Sequence, residues 1–347
     1  MKLNFSPQDQ KRWDVFCNDI VARNERFTGL LANYLNQTPR LISARMVKNL
    51  AAECGVLKED AFRVLLAAGI GLDTCANAED KELEKRYLLP ALHRLTPKDW
   101  LGDPYLTTVK FPAASAGNWA FGTEHYAPYE PFVCGLPKTT EDGREIPQLG
   151  YFTSAFSFPA VFEGGVEWMA VKPNEIATIK PAIEEAQGKT VAFGLGLGYF
   201  AFHTSEKETV TEVTVVERDK TVIDLFTAHL LPQFPHREKI KLVQSDAFEF
   251  AKKQLPKLSA DFAFVDLWHD QSDGLPLYLQ MRRLETLAPK TKFVYWIEPI
   301  LLSSLRCMVL DRILDDGPGE LASFAEARAL LTDSYLRSLA PKIQRIE

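Results

Sequence analysis

Short apolar runs separated by longer stretches of mixed polarity dominate the second half of the chain. Five of these runs are predicted as strands, because they are short and rich in β-branched and aromatic residues. The predicted strands begin at Val191, Glu212, Lys241, Asp261 and Lys292. Strands that alternate with helices form parallel sheets, so the pattern predicts an α/β fold with a doubly wound, mainly parallel sheet.

Acidic residues stand at or just beyond the ends of four of these predicted strands. They are Glu217, Asp246, Asp266 and Glu298. Because ligands bind at the carboxyl edge of an open parallel sheet, these side chains are expected to gather around a ligand.

The first part of the chain, residues 1–104, has apolar positions at helical spacing and is predicted as a helical extension. Ser6-Pro7 supplies a capping hydroxyl and a proline suited to the first helical position. Thr38-Pro39 is predicted to open a second helix, and a third is predicted over residues 59–68.

The turn Ala51–Val56 has the alanine and glycine spacing of a helix-turn-helix, which raises DNA binding as an alternative. The following helix opens with Glu59 and Asp60, whose charges would repel phosphates. A corner between two packed helices is therefore the preferred interpretation.

Residues 105–172 change to aromatic and β-branched residues interrupted by turn signals, and are predicted to form a small antiparallel β segment. Asp142-Gly143 and Gly164-Gly165 are the hairpin signals. Residues 173–347 are predicted to form the nucleotide-binding domain. Pro173 opens a helix there that leads to the first parallel strand, with Gly188 as the expected stop.

A helical tail is expected to follow the fifth strand. It comprises a helix over 301–314 and a second helix opened by a capping box at Ser323 and Glu326. Residues 342–346 form a candidate late strand.

Composition narrows the class of protein. The chain has 347 residues and a formal net charge of −6, which argues against a broadly basic nucleic-acid surface. Five scattered cysteines without a C-x-x-C pair indicate free thiols and no structural zinc, and no metal site is expected. The amino terminus lacks a signal-peptide pattern and no apolar run would span a bilayer, so a cytoplasmic protein without a membrane partner is expected. The oligomeric state is open, with a homodimer as one option.

Three glycines, Gly194, Gly196 and Gly198, follow the first parallel strand in the spacing G-x-G-x-G. Such a loop lets the backbone approach a ligand closely, although glycine also serves tight turns in general. A dinucleotide fingerprint places its third glycine where this chain has Tyr199, which disfavours NAD.

Four motifs together resemble the class I S-adenosylmethionine-dependent methyltransferases, and within them the spermidine-synthase-like branch. The motifs are FGLGLG at 193–198, VVERD at 215–219, SDA at 245–247 and FVDLWHD at 264–270. The resemblance covers residues 172–300 and implies a Rossmann-like methyltransferase sheet in the strand order 3-2-1-4-5, with S-adenosylmethionine as the cofactor.

The resemblance also implies roles for particular residues. Glu217 would hold the ribose hydroxyls, Asp246 would meet the adenine amino group, and the three loop glycines would lie beside the methionine portion. The other motif residues expected at the cofactor are Arg218, Ser245, Ala247, Asp266 and Trp268. Trp268, Tyr199 and Phe200 are candidates for an aromatic wall near the sulfonium, with the helix core as the alternative for the last two. Asn174 and Glu175 are candidate contacts or helix caps.

The candidate catalytic residues are Asp266, His269 and Asp270. A methyl acceptor needs a free lone pair, and His269 could take its proton near neutrality; a local hydrogen-bonding role is the alternative. Carboxylates at the same edge would suit an amine acceptor, whereas Asp273 is expected to cap a helix.

The sequence thus predicts methyl transfer to a small-molecule acceptor. Two alternatives stay open: aminopropyl transfer of the spermidine synthase type, and a non-catalytic nucleoside-binding or regulatory protein. Departures from the methyltransferase and synthase patterns at Ala192 and at Asp266–Asp270 leave the choice of reaction unsettled.

Overall fold

Helices dominate the amino-terminal part of the chain. The computed structural model describes residues 2–3, 6–315 and 343–344. The helices are α1 (Pro7–Val15), α2 (Ala22–Gln37), α3 (Ala44–Cys54), α4 (Lys58–Gly69), α5 (Ala78–Leu83), α6 (Leu89–Ala91), α7 (Lys98–Leu101) and α8 (Pro104–Thr108). The π-helical segments Phe16–Val21 and Glu84–Leu88 extend α1 and α5, and the strands β1 (Lys2–Leu3) and β2 (Leu92–Arg94) belong to the same region. The predicted first and third helices are confirmed as α1 and α4.

The prediction that Thr38-Pro39 opens a helix is wrong. Thr38 instead follows the last residue of α2, and its N–H donates to the carbonyl of Tyr34. A residue before proline is driven out of the helical region, so the sequence Thr-Pro marks an end here. The next helix, α3, begins six residues later, where the Ser43 hydroxyl accepts the Met46 N–H at 3.3 Å.

A corner joins α3 to α4, as the sequence predicts. Gly55 ends α3 with a φ of 65°, a left-handed conformation that favours glycine. Val47 of α3 and Phe62 of α4 are fully buried in the same core, and Glu59 at the start of α4 forms an ion pair with Arg94. The apolar faces of α3 and α4 therefore pack against each other and against the rest of this core.

Six short strands follow as antiparallel hairpins. They are β3 (Ser115–Ala116), β4 (Trp119–Tyr126), β5 (Phe132–Thr139), β6 (Glu145–Tyr151), β7 (Phe156–Glu163) and β8 (Val166–Ala170). One sheet has the order β2-β6-β5 and the other the order β3-β4-β7-β8. Both predicted hairpin turns are confirmed, with Gly143 between β5 and β6 and Gly164-Gly165 between β7 and β8.

The three-stranded sheet shares its core with the helices. Ile146, Leu149 and Tyr151 of β6 are buried in the same cluster as Phe27 of α2 and Phe62 of α4. The four-stranded sheet instead packs against the carboxyl-terminal half, because its residues Trp119 and Val161 are buried in the core of the parallel sheet.

A five-stranded parallel sheet completes the described fold. Its elements are α9 (Pro173–Glu185), β9 (Gly188–Phe193), α10 (Tyr199–Ser205), β10 (Val210–Glu217), α11 (Lys220–His229), β11 (Ile240–Gln244), α12 (Ala247–Lys253), α13 (Leu255–Leu258), β12 (Phe262–Val265), α14 (Gln271–Leu284), β13 (Lys292–Tyr295) and α15 (Glu298–Asp315). The order is β11-β10-β9-β12-β13 with every pair parallel. The predicted α/β class and strand order are confirmed.

Apolar residues explain why these strands are central. All four residues of β12 and the last four of β9 are buried, as expected for strands covered by helices on both faces. Phe200 of α10 stacks on Phe264 of β12 with ring centroids 4.5 Å apart, which places Phe200 in the core.

The ends of this region differ in detail from the prediction. α9 stops at Glu185, and Gly188 is the first residue of β9 rather than a helix stop. After α15, the capping box at Ser323 and Glu326 lies outside the described residues. Of the candidate late strand, Ile343–Gln344 forms β14, which pairs antiparallel with β1 and not with the parallel sheet. Within the described ranges, no helix is both long and apolar enough to span a membrane.

Gly198 serves packing at the start of α10. Its φ is 74°, and a Cβ placed there would overlap the ring of Phe226 and lie 3.2 Å from the ring of Phe234. Gly164 has a similar φ of 58°, but a Cβ there would meet nothing within 4 Å. Both positions therefore need glycine for their backbone conformation, but only Gly198 also needs it for packing.

Replacing Gly198 by alanine should lower the free energy of unfolding by about 2–5 kcal/mol, because left-handed strain of about 1–2 kcal/mol adds to an overlap worth about 1–3 kcal/mol. The control Gly164→Ala should lose only about 1–2 kcal/mol. Urea unfolding measures both values. Equal losses in the two variants would contradict the packing role of Gly198.

Candidate functional site

A cavity of about 270 Å³ opens at the carboxyl ends of the parallel strands, near the lower end of the volume range of small-molecule sites. Four strand ends supply one side. They contribute Gly194–Gly196 after β9, Val216–Asp219 at the end of β10, Ser245–Phe248 after β11 and Asp266–His269 after β12. The four-stranded sheet and α9 supply the facing side, with Trp119, Val161, Glu163, Glu167, Trp168, Met169, Lys172 and Glu175.

Most of the sequence-predicted site residues meet in this cavity. Those in its lining are Gly194, Gly196, Glu217, Arg218, Ser245, Asp246, Ala247, Asp266, Trp268 and His269. Glu175 also lines it, whereas its neighbour Asn174 does not. Residues far apart in sequence converge here because the strands are parallel and end at the same edge.

Gly198 and Asp270 lie outside the lining, and the structure gives each another role. Gly198 allows the rings of Phe226 and Phe234 to pack against the start of α10. Asp270 caps α14, where its Oδ1 accepts the N–H and the hydroxyl of Ser272, each at 2.6 Å. The hydrogen bonds from Ser272 lower the pKa of Asp270, so this carboxylate is committed to the helix start rather than to the cavity.

Fewer of the predicted carboxylates face the cavity than expected. Asp273 completes the capping box by accepting the backbone N–H of Asp270 at 3.0 Å, as the sequence predicts for this residue. Glu298 accepts the Tyr278 hydroxyl at 2.7 Å and lies outside the lining. Of the carboxylates following β12 and β13, Asp266 alone among the described residues faces the cavity.

Gly194 determines how closely two strand ends approach. Its φ is 100°, and a Cβ there would overlap the carbonyl oxygen of Asp266. At the same place, the Asp266 N–H donates to the carbonyl of Phe193 at 2.9 Å. The glycine therefore allows the ends of β9 and β12 to meet beneath the cavity.

Glu217 is fixed by backbone donors at the end of β10. Its Oε2 accepts the Leu195 N–H at 3.2 Å and its Oε1 accepts the Asp219 N–H at 2.8 Å. The carboxylate thus ties the glycine loop to the turn after β10, and each oxygen keeps capacity for a further hydrogen bond.

Asp246 lies at the start of α12 and is exposed. Its Oδ1 accepts the Glu249 N–H at 2.9 Å, which makes Asp246 the helix cap as well as a cavity residue. A cap uses one carboxylate oxygen, so the other is available to a ligand.

The aromatic wall of the cavity differs from the one predicted. Trp119 of β4 and Trp168 of β8 meet edge to face at 5.9 Å, and Trp168 lies 5.7 Å from the His269 ring. Tyr199 is not part of this wall, because it is buried and its hydroxyl donates to Asp103 at 2.7 Å. The two tryptophans were missed because nothing in the sequence of a hairpin shows which face will cover a distant loop.

Trp119 also links the antiparallel sheet to β10. Its indole N–H donates to Asp219 at 2.9 Å, and Asp219 in turn caps α11 through the Thr221 N–H at 2.7 Å. These hydrogen bonds lower the pKa of Asp219 against an opposing contribution from burial. Asp219, the last residue of the VVERD motif, therefore attaches the antiparallel sheet to the end of β10.

Trp268 and His269 share a loop but have different environments. Trp268 is buried, stacks on Tyr295 at 6.5 Å, and its indole N–H has no hydrogen-bond partner in the described chain. His269 is about half exposed, and its Nε2 lies 3.4 Å from the carbonyl of Glu167. The histidine ring therefore reaches from the parallel sheet to β8.

Two carboxyl groups in the cavity have raised pKa values. Burial raises the pKa of Glu175 to about 7, with Glu167 adding to the effect and Lys172 opposing it. Burial and the nearby Glu175 raise the pKa of Asp266 well above its usual range. Carboxyl groups that hold protons near neutrality and face a cavity are typical of functional sites.

Lys172 supplies positive charge on the facing side. It forms an ion pair with Glu167, and both side chains line the cavity. Sequence reasoning found neither residue, because β8 and the turn into α9 carry no motif that points to chemistry.

Among known proteins, the chain is similar only to parts of solved structures. No family model matches the chain, and no curated protein matches it. Solved structures match over part of their length. Precorrin 8W decarboxylase from Methanobacterium thermoautotrophicum is 21% identical with a TM-score of 0.26, over 34% of this chain and 58% of that one.

Two spermidine synthase structures are also similar in part. One, in complex with the transition state analogue AdoDATO, is 16% identical with a TM-score of 0.26, over 31% of this chain and 40% of that one. The other, from Thermotoga maritima, is 16% identical with a TM-score of 0.27, over 35% and 45%. The chain thus spans about half the length of the structures it matches.

In the part of the chain that the structure describes, no group of three or more His, Cys, Asp and Glu side chains could hold a metal ion.

The raised pKa of Glu175 has a consequence for stability. Because the folded protein binds this proton more tightly than the unfolded chain, stability falls as the pH rises from the unfolded pKa toward about 7. Glu175→Gln should be about 1–3 kcal/mol more stable than wild type at pH 7.5, and its stability should fall less between pH 5 and pH 7.5.

Urea unfolding across this pH range measures the effect. Glu163→Gln, at an exposed carboxylate of the same cavity, should keep the wild-type pH dependence. An unchanged slope in Glu175→Gln would show that Glu175 is not buried as described.

Proposed function

We propose that the protein is an S-adenosylmethionine-dependent methyltransferase that acts on a small-molecule acceptor. The observation that carries this proposal is the convergence of Gly194, Glu217, Asp246 and Asp266 on one cavity at the carboxyl edge of the sheet. An open α/β sheet binds nucleotides at this edge, and each of these residues lies at the carboxyl end of a different parallel strand.

The residues present fit a nucleoside. Glu217 is held rigidly with capacity to accept ribose hydroxyls, and Asp246 keeps one oxygen for the adenine amino group. Gly194 allows the loop to lie close to the Asp266 backbone, and beside Gly196 the flexible side chain of Met169 occupies the space that a Cβ would fill. When bound, S-adenosylmethionine supplies an activated methyl group on a sulfonium, so the protein needs no nucleophile of its own.

The chain's own residues would orient the acceptor and handle its proton. Trp119 and Trp168 wall the cavity and exclude water, which strengthens the electrostatic interactions inside it. The carboxyl group of Glu175, with a pKa of about 7, can take a proton from an acceptor at neutral pH. His269 lies across the same cavity as a second proton acceptor.

The charges of the cavity favour a cationic acceptor. Glu163 and Glu167 line the facing side of the cavity, where the lining cation Lys172 is already paired with Glu167. Glu175 and Asp266 add negative charge to the lining when they lose their protons. Carboxylates attract ammonium groups, so an amine is the proposed acceptor class.

The same acidic lining supports aminopropyl transfer to a diamine as the second candidate. A thermal-shift comparison separates the two reactions, because S-adenosylmethionine has a carboxylate that its decarboxylated form lacks. Stronger stabilisation by the decarboxylated form would favour aminopropyl transfer. Stabilisation by a nucleoside without turnover on a panel of amines would favour a binding or regulatory protein.

Asp246→Ser tests the nucleoside site. Serine keeps the helix cap but is too short to reach a ligand, so affinity for S-adenosylhomocysteine should fall about three- to tenfold, the worth of one hydrogen bond. Isothermal titration calorimetry measures it. Asp270→Ser is the matched control, because Asp270 caps α14 outside the cavity, and its affinity should stay within about twofold of wild type.

Unchanged affinity in Asp246→Ser would remove Asp246 from the site. Absence of nucleoside binding by the wild-type protein would overturn the proposed function itself.

A further inference from the structure

Met169 of β8 reaches across the cavity and sits on the glycine loop. Its Sδ accepts the N–H of Leu197 at 3.3 Å. A Cβ placed on Gly196 would overlap the same sulfur, so the thioether lies directly against the face of the loop that glycine leaves open. A side chain from the antiparallel sheet thus occupies the space that a glycine loop normally leaves for a ligand.

The other hydrogen bonds of the loop go to oxygen. The Gly194 N–H donates to the Val216 carbonyl at 2.9 Å, the Leu195 N–H to Glu217, and the Gly198 N–H to the Leu195 carbonyl at 2.8 Å. Leu197 donates instead to a thioether, which is a weak acceptor. A carboxylate oxygen would make a shorter and stronger bond with the same N–H.

Leu197 itself is well fixed, so its N–H direction is set before any ligand arrives. The Tyr105 hydroxyl donates to the Leu197 carbonyl at 2.6 Å, and both residues are fully buried. Met169, in contrast, is partly exposed to the cavity and has an unbranched side chain with three rotatable bonds. The donor is therefore rigid, and the group that covers it can move.

We propose that Met169 is a displaceable stopper of the glycine loop, and that the carboxylate of an amino-acid-bearing nucleoside takes over the Leu197 N–H when Met169 swings away. The inference rests on the proposed function and deepens it, because it assigns an anionic group to a defined donor. A nucleoside without a carboxylate gains nothing at this donor, so the Leu197 N–H favours the methyl donor over its decarboxylated form, and the stopper weakens that preference because the carboxylate must first displace it.

The test compares two nucleosides, one with the amino-acid chain that bears the carboxylate and one with a methyl group in its place. S-adenosylhomocysteine carries the amino-acid carboxylate, and 5′-methylthioadenosine lacks it. Met169→Ala removes the stopper, so it should tighten binding of S-adenosylhomocysteine by about fivefold or more and change binding of 5′-methylthioadenosine by less than about twofold. Val166→Ala, on the same strand and outside the cavity, should leave both affinities unchanged.

A second measurement does not depend on the fold of the alanine variant. In wild-type protein with labelled methionine methyl groups, the Met169 signal, assigned by its loss in Met169→Leu, should shift with S-adenosylhomocysteine and move much less with 5′-methylthioadenosine. An unmoved Met169 methyl group, or equal gains for both nucleosides in Met169→Ala, would overturn the stopper while the nucleoside site stands. If neither nucleoside binds wild type or Met169→Ala, the proposed function fails as well.

Discussion

The cavity depends on the close approach of two backbones, at Gly194 after β9 and at Asp266 after β12. A side chain at Gly194 would overlap the Asp266 carbonyl, so the two strand ends meet only because glycine stands there. β9 and β12 are also the pair between which the strand order reverses, since β10 and β11 lie to one side and β13 to the other. An open α/β sheet leaves its cleft at this reversal, and the close approach keeps the floor of that cleft continuous.

The antiparallel sheet covers part of this cleft. Trp119, Trp168 and Met169 cover the strand ends, while the hydrogen bond from Trp119 to Asp219 attaches the cover to the turn after β10. Enclosure removes water from the carboxyl groups beneath it. The raised pKa values of Asp266 and Glu175 are therefore products of the cover as much as of the parallel sheet.

Local sequence features predicted the parallel sheet well, because each strand, glycine turn and terminal acid is encoded within a few residues. Glu217, Asp246 and Asp266 could be placed at one edge by topology alone. Asp270 looked equivalent to Asp266, yet the serine two residues later made it a helix cap. Trp168 and Met169 could not be found this way, since their role comes from how a separate sheet docks and not from their own neighbours in sequence.

Both main-chain polar groups of Leu197, its carbonyl and its N–H, are held by side chains from outside the parallel sheet. The hydroxyl of Tyr105 in α8 donates to the Leu197 carbonyl, and the sulfur of Met169 in β8 accepts the Leu197 N–H. A fragment beginning at α9 would carry every one of the four recognised motifs and still lack both of these partners. The smallest piece of this protein that preserves the loop is consequently larger than the piece its motifs mark out, which sets the boundary for any truncation, domain swap or grafting of this site.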